Sequence, residues 1–171
     1  MQNHFELFHL PVRFEVDLAA LDAAYRDVQG QVHPDRFVSA TDAEKRVAMQ
    51  WATRANEAYQ TLKNPQKRAA YMCELAGVAL DVESNTAMPM EFLMQQMEWR
   101  EALGEAKAEK DVAALEHLDQ QVKLDRKARM LHVGQQLDAH DYQHAAQGVR
   151  ALMFIDKFAE EVHRAFDALD N

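Results

Sequence analysis

The chain has 171 residues, 48% of them hydrophobic and 27% charged, enough to bury a core without disulfide staples. Its 28 Ala and 16 Leu stand against one Ile and 4 Thr, with only 5 Gly and 4 Pro; this excludes a β-sandwich, a collagen-like chain and low-complexity sequence, and disfavours a nucleotide-binding α/β fold. The net charge of −9 divides into −1 over residues 1–76 and −8 over 77–171, which disfavours nucleic acid and anionic membrane surfaces as partners.

Phe5, Leu7, Phe8 and Leu10 form a short apolar opening stopped by Pro11. Asp17 then offers an N-cap to a stripe of Leu18, Leu21, Tyr25, Val28 and Val32 at alternating spacings of three and four. This predicts an amphipathic helix ending at Val32 or His33, because Pro34 pushes the preceding residue out of the α region. Residues 34–41 read as a loop. Thr41-Asp42-Ala43-Glu44 is a capping-box pattern and opens a helix to about Lys63, with Val47, Trp51, Ala55, Ala58, Tyr59 and Leu62 as expected core. Asn64-Pro65 breaks it and starts a shorter helix to about Ala76, with Gly77 as its C-cap.

Residues 77–88 lack periodicity, contain Ser84-Asn85-Thr86 and read as a linker. Pro89 suits the first turn of a new helix to about Ala106. A second helix spans about 110–138, with Val112, Leu115, Leu118, Val122, Val133 and Leu137 at core spacing. Asp141 can cap a third, along which Val149, Leu152, Ile155, Ala159, Val162, Phe166 and Leu169 keep the same rhythm. Three long amphipathic helices with short connections predict an antiparallel bundle. The fold expected is therefore all-α, with a helical region over 1–76 and a three-helix bundle over 89–171.

Cys73 stands alone, so no intrachain disulfide or Cys-x-x-Cys zinc site can form. It reads as a buried thiol. His140 and His144 have the i, i+4 spacing of a helical metal pair, but they straddle a helix start without an evident third ligand. No basic-then-apolar leader and no membrane-length apolar run is present, and the reading is a cytoplasmic protein.

His33-Pro34-Asp35 falls in the turn between two amphipathic helices. Alone it reads equally well as a Pro-Asp turn with a solvated histidine. Its context is more informative. Downstream stand Ala58-Tyr59-Gln60-Thr61-Leu62 and Asn64-Pro65-Gln66-Lys67-Arg68-Ala69-Ala70-Tyr71, a run that resembles the A-Y-x-x-L-x-x-P-x-x-R-x-x-Y pattern of J-domains. Residues 1–76 thus resemble a J-domain. Phe92-Leu93-Met94-Gln95-Gln96-Met97-Glu98-Trp99-Arg100-Glu101 and Val149 to Lys157 extend the likeness, and the whole chain is similar to the HscB family of J-type co-chaperones of iron–sulfur cluster assembly.

That resemblance implies a regulator of a partner's ATPase rather than an enzyme, with no cofactor of its own. His33, Pro34, Asp35 and Arg36, with Arg26 on the preceding helix, would meet a DnaK-like chaperone of the HscA type. Pro34 would stiffen the turn, Asp35 would accept charge-assisted hydrogen bonds, and His33 would offer one donor and one acceptor. The preceding helix has Gln29, Gly30 and Gln31 where basic residues are common in J-domains, Val32 where Tyr is frequent, and Arg36 in place of Lys. For Arg26 a solvated helix face is the alternative.

The helix after Pro89 has more large apolar residues than one stripe holds. Phe92, Trp99 and Leu103 cluster on one side; Met90, Leu93, Met94 and Met97 cluster on another beside Glu101. Phe154 is expected off the stripe of the last helix. A second apolar face suits either interdomain packing or protein recognition. In the HscB family this surface takes the cluster scaffold, IscU, and the resemblance carries that role to Leu93, Met94, Met97, Glu98, Glu101 and Phe154. A general J-protein holding unfolded segments, or a helical adaptor with a fortuitous turn, are the other readings of the same residues.

Overall fold

The computed structural model describes residues 2–80 and 88–170, so most of the expected linker (81–87) lies outside the described residues. Among the described residues seven helices run in order: α1 His4–Leu7, α2 Leu18–Val32, α3 Asp42–Lys63, α4 Pro65–Leu75, α5 Met90–Glu109, α6 Val112–Asp138 and α7 Tyr142–Asp170. No strand occurs among the described residues. The chain divides into two compact units, Met1–Met72 and Cys73–Asn171.

Local chemistry sets the helix ends in the first unit. Asp17 accepts from the Ala19 and Ala20 amides, so α2 starts where the apolar stripe starts. Thr41 Oγ1 accepts from the Glu44 amide and donates to Glu44 Oε1, at 3.2 and 3.1 Å. Asn64 accepts from the Lys67 amide at 3.0 Å and opens α4. The segment expected as loop begins as a 3-10 turn over Pro34–Phe37, since proline's fixed φ preorganises a first turn.

The core of this unit is Phe5, Phe8, Leu21, Ala55, Ala58 and Leu62 with Ala48, Ala69 and Met72. Val47 and Trp51, expected in that core, are exposed. The adjacent Ala48 is buried instead, because α3 meets its neighbours along an alanine-lined face that lets helices approach closely. Leu18 is half exposed at the start of its stripe. Tyr25 and Tyr59 stack with centroids 4.1 Å apart, and their hydroxyls donate to Asn56 Oδ1 at 3.1 Å and Asp22 Oδ1 at 2.6 Å. These bonds tie α2 to α3 as an antiparallel pair. Donation to an ionised Asp22 raises the Tyr59 pKa.

Residues of the J-type sequence pattern finish the frame. Arg68 is buried, donates to the Leu62 carbonyl at 2.6 Å and lies over the Phe14 ring at 4.8 Å. It satisfies an end carbonyl of α3 that the break at Asn64 orphans. Burial pulls its pKa below the usual guanidinium value. Tyr71 accepts from the His4 amide at 2.9 Å and stacks on the His4 ring.

The second unit is the bundle α5–α7. Gly77 adopts φ +79, and the Val78 amide returns to the Cys73 carbonyl at 3.0 Å, closing α4 with a left-handed glycine as expected. Phe92, Trp99, Leu103, Leu115, Leu118, Val122, Ile155, Phe158 and Val162 form one contiguous buried cluster; each such large side chain contributes about 1.5–3 kcal/mol by leaving water. Trp99 stacks on Phe158 at 5.7 Å. Val112, expected in the core, is about half exposed in the first turn of α6. Helices α6 and α7 approach so closely that a Cβ on Gly148 would lie 2.5 Å from Val133 Cγ2.

Polar clamps surround this core. Arg126 pairs with Asp156 at 2.7 Å between α6 and α7, and Arg100 with Glu161 at 3.0 Å between α5 and α7. Arg129 pairs with Asp125 at 2.6 Å, and both bond Gln95 across to α5. Cys73 is buried with its thiol facing the Tyr142 carbonyl at 3.9 Å, and burial pushes its pKa up to about 11.

Candidate functional sites

The turn after α2 is built by proline. His33 is forced to φ −60, ψ 136, which ends α2 and turns the chain out of the helix. The His33 ring then caps the 3-10 turn. Its Nδ1 accepts from the Asp35 amide at 3.2 Å, and its carbonyl accepts from the Arg36 amide at 3.0 Å. Nδ1 is thereby engaged within the turn, and Nε2 is the ring nitrogen that the cap leaves open.

The His33 and Asp35 side chains are 59% and 89% exposed. The Asp35 carboxylate lies 3.5 Å from His33 Nδ1, and its exposure keeps its oxygens in water and accessible to a cationic donor. Pro34 and Arg36 are exposed in the same turn. Thus four of the five residues expected to meet a chaperone lie in one rigid bend. Arg26 is exposed on α2, its Nε donating to the Asp22 carbonyl at 3.4 Å. Seven residues separate it from His33, which is about 10 Å along a helix axis.

The second site lies on α5 and α7. Phe92, Trp99 and Leu103 face the core, as the two-sided pattern predicts. The other side splits. Met90, Met94 and Met97 are 70%, 54% and 70% exposed, flanked by exposed Glu98 and Glu101. Leu93 is only partly buried and packs against the core cluster. Phe154, expected off the stripe of α7, packs at the edge of that cluster, its ring 6.3 Å from Phe92. The reason is that α7 touches both other helices, so its buried arc is wider than a single stripe. Leu93 and Phe154 are thus half-buried at the edge of the cluster, whereas Met90, Met94 and Met97 stand in water.

The helical spacing missed two further side chains. Leu124 and Leu131 on α6 are 69% and 66% exposed. Their separation of seven, two turns on one face, is the signal that could have found them. The histidines considered as a metal pair are otherwise engaged: His144 Nδ1 meets Asp141 at 2.7 Å and His140 Nδ1 meets the Tyr142 hydroxyl at 2.9 Å. Among the described residues no helix is long and apolar enough to cross a membrane.

Comparison with known proteins agrees with both halves of this architecture. Residues 3–71 match the DnaJ domain model, and residues 88–163 match the model described as the HSCB C-terminal oligomerisation domain. A co-chaperone protein HscB homolog of Burkholderia thailandensis is 54% identical over 169 residues, covering 99% of this chain and 97% of the relative. Its counterpart in Burkholderia multivorans is 55% identical, covering 98% and 96%. Among solved structures, chaperone HscB from Vibrio cholerae superposes with a TM-score of 0.82 at 38% identity, covering 98% of this chain and 99% of that one. Human co-chaperone protein HscB gives 0.87 at 28% identity, covering 95% and 81%. With a J-type helical hairpin bearing a His-Pro-Asp bend, an α-helical bundle behind it in sequence, and near full-length relatives, the chain belongs to the HscB family of J-domain co-chaperones.

Proposed function

We propose that this co-chaperone stimulates ATP hydrolysis by a DnaK-like chaperone of the HscA type and delivers to it an IscU-type iron–sulfur scaffold protein. The observation that carries the first half is the preorganised bend. His33 caps the turn with Nδ1, which leaves Nε2 and the exposed Asp35 carboxylate to a partner, on a backbone turn with little conformational entropy left to lose on binding. Neither group cleaves ATP. They stabilise the chaperone conformation that hydrolyses it, and so shift a population in the partner. Arg36 and Arg26 supply positive charge beside the bend.

The second half rests on the exposed Met94 and Met97, the half-buried Leu93 and Phe154, and the Glu98 and Glu101 rim. Unbranched methionines adapt to a partner's relief, and the carboxylates set its orientation. Holding the scaffold on residues 89–171 while residues 1–76 engage the chaperone makes the second encounter intramolecular and raises effective concentration without a new contact.

The decisive experiment is single-turnover ATPase of the chaperone with native protein and with His33→Gln, each with and without the scaffold. The native protein accelerates hydrolysis, and the variant leaves it at the basal rate while still binding scaffold. Equal acceleration by the variant would refute the reading. Competition between folded scaffold and a denatured peptide separates a dedicated scaffold carrier from a general holder of unfolded segments.

A further inference from the structure

Between α5 and α7 lies a cavity of about 560 Å³ whose charge is opposite in sign to the half of the chain around it. Residues 77–171 carry −8, yet the cavity is lined by Arg100, Lys107 and Arg164 against the single carboxylate of Glu161. Along α5 the sorting is complete. Its two basic residues, Arg100 and Lys107, both line the cavity, and none of its five glutamates does. On α7, Glu160 stands four residues before Arg164 and Asp167 three after it, spacings at which helical ion pairs form. Arg164 pairs with neither and lines the cavity instead. Among the described residues, Arg164 and Lys107 have no hydrogen bond or ion pair. None of these side chains belongs to the bend or to the methionine face.

Arg100 is already held in place. It meets Glu161 at 3.0 Å and lies over the Phe158 ring at 5.7 Å, while its side chain stays 56% exposed. Leu103, Ala165 and Ala168 give the cavity an apolar wall of mostly small side chains. A Cβ on Gly104 would meet nothing within 4 Å, so the space beside it is open. We propose that this cavity binds a compact phosphate anion, free or esterified to a small organic body, with the phosphate on Arg100, Lys107 and Arg164 and the body against the apolar wall. Three cations and one carboxylate leave two positive charges, which match a phosphoryl group of about −1.5 to −2 at pH 7 better than a single carboxylate. Guanidinium forks also fit phosphate oxygens. The surrounding acidity sets the size of the ligand. A nucleic-acid backbone or an anionic bilayer would meet the glutamates of α5 as well and be repelled, whereas a compact anion meets only the cavity.

The test is titration calorimetry of the full chain at physiological ionic strength with inorganic phosphate, pyrophosphate, ADP and a tetraglutamate peptide, repeated on Lys107→Gln/Arg164→Gln and on Gly104→Leu. The double variant removes two exposed charges that tie nothing together in the fold. Gly104→Leu fills the open space and replaces a glycine inside a helix, so its melting temperature should hold or rise. The native chain should bind pyrophosphate or ADP with a Kd below about 1 mM, the double variant at least tenfold more weakly, and Gly104→Leu should lose ADP. Tighter binding of ADP than of pyrophosphate supports a nucleotide-like ligand, and the reverse order supports a free phosphate anion. No heat with any phosphate-bearing probe, or an affinity that neither variant changes, overturns the site. Tetraglutamate binding as tightly as pyrophosphate assigns the cavity to an acidic protein segment and also overturns the proposal.

Discussion

The bend after α2 and the apolar face of α5 and α7 are built on opposite plans. The bend is four consecutive residues whose geometry follows from one proline and one imidazole cap. The face is assembled from side chains about sixty positions apart, and each is graded differently between core and water. A contiguous site can lose function through one atom without losing its fold. A composite face resists single replacements but exposes its half-buried members to a stability cost. Sharp, all-or-none behaviour is therefore expected at the first site and graded behaviour at the second.

The largest expected effect breaks the comparison if it fails. His33→Gln should remove ATPase stimulation and leave scaffold affinity, measured by titration calorimetry, within twofold of native. Next comes the face. Met94→Ser with Met97→Ser should weaken scaffold binding at least tenfold, about 1.4 kcal/mol, with stimulation by the J-domain alone unchanged. Leu93→Ala with Phe154→Ala should weaken it too and also lower the melting temperature, because both side chains pack on the core. If the methionine pair destabilises the fold as much as the Leu93/Phe154 pair, the division into half-buried edge and solvated methionines is wrong.

A third prediction probes the bundle beneath the face. Gly148→Ala places a methyl 2.5 Å from Val133 Cγ2, so it should cost about 1–3 kcal/mol through overpacking, read as a lower melting temperature with an unchanged bend. The smallest effect is at Cys73. Its thiol, pushed up to about 11 by burial, should resist alkylation at pH 8 in the native protein and react at once in denaturant. The stability that this buried neutral thiol contributes is complete below the ordinary thiol value near 9. It is lost as pH rises towards about 11, because the unfolded chain ionises first. Native alkylation at the denatured rate would contradict its burial.

Much of this architecture is legible in sequence. Asp17, Thr41, Asn64 and Gly77 mark helix limits that the structure reproduces to within a residue or two, since capping is a matter between near neighbours. The tyrosines and arginine of the J-type pattern are equally visible, yet their work is structural: Tyr59 bonds Asp22, Arg68 bonds the end of α3, and Tyr71 bonds α1. They hold the bend in place without belonging to it. Less legible is which apolar residue faces inward. Val47 and Trp51 obey helical spacing as well as Ala48 does, and only the approach of neighbouring helices chose the alanine.

By itself the order of residues determined an all-α chain, where its helices start and stop, and a proline-built bend between two of them. Those outcomes depend on interactions spanning about four residues, and four residues carry their own instructions. Tertiary structure alone decided that Phe154 packs on Phe92, that Val47 and Trp51 are exposed while Ala48 is buried, and that Leu124 and Leu131 stay in water. The physical reason is that burial is set by whichever element arrives from elsewhere in the chain, and spacing along one helix records how many faces are apolar but not which neighbour will cover them.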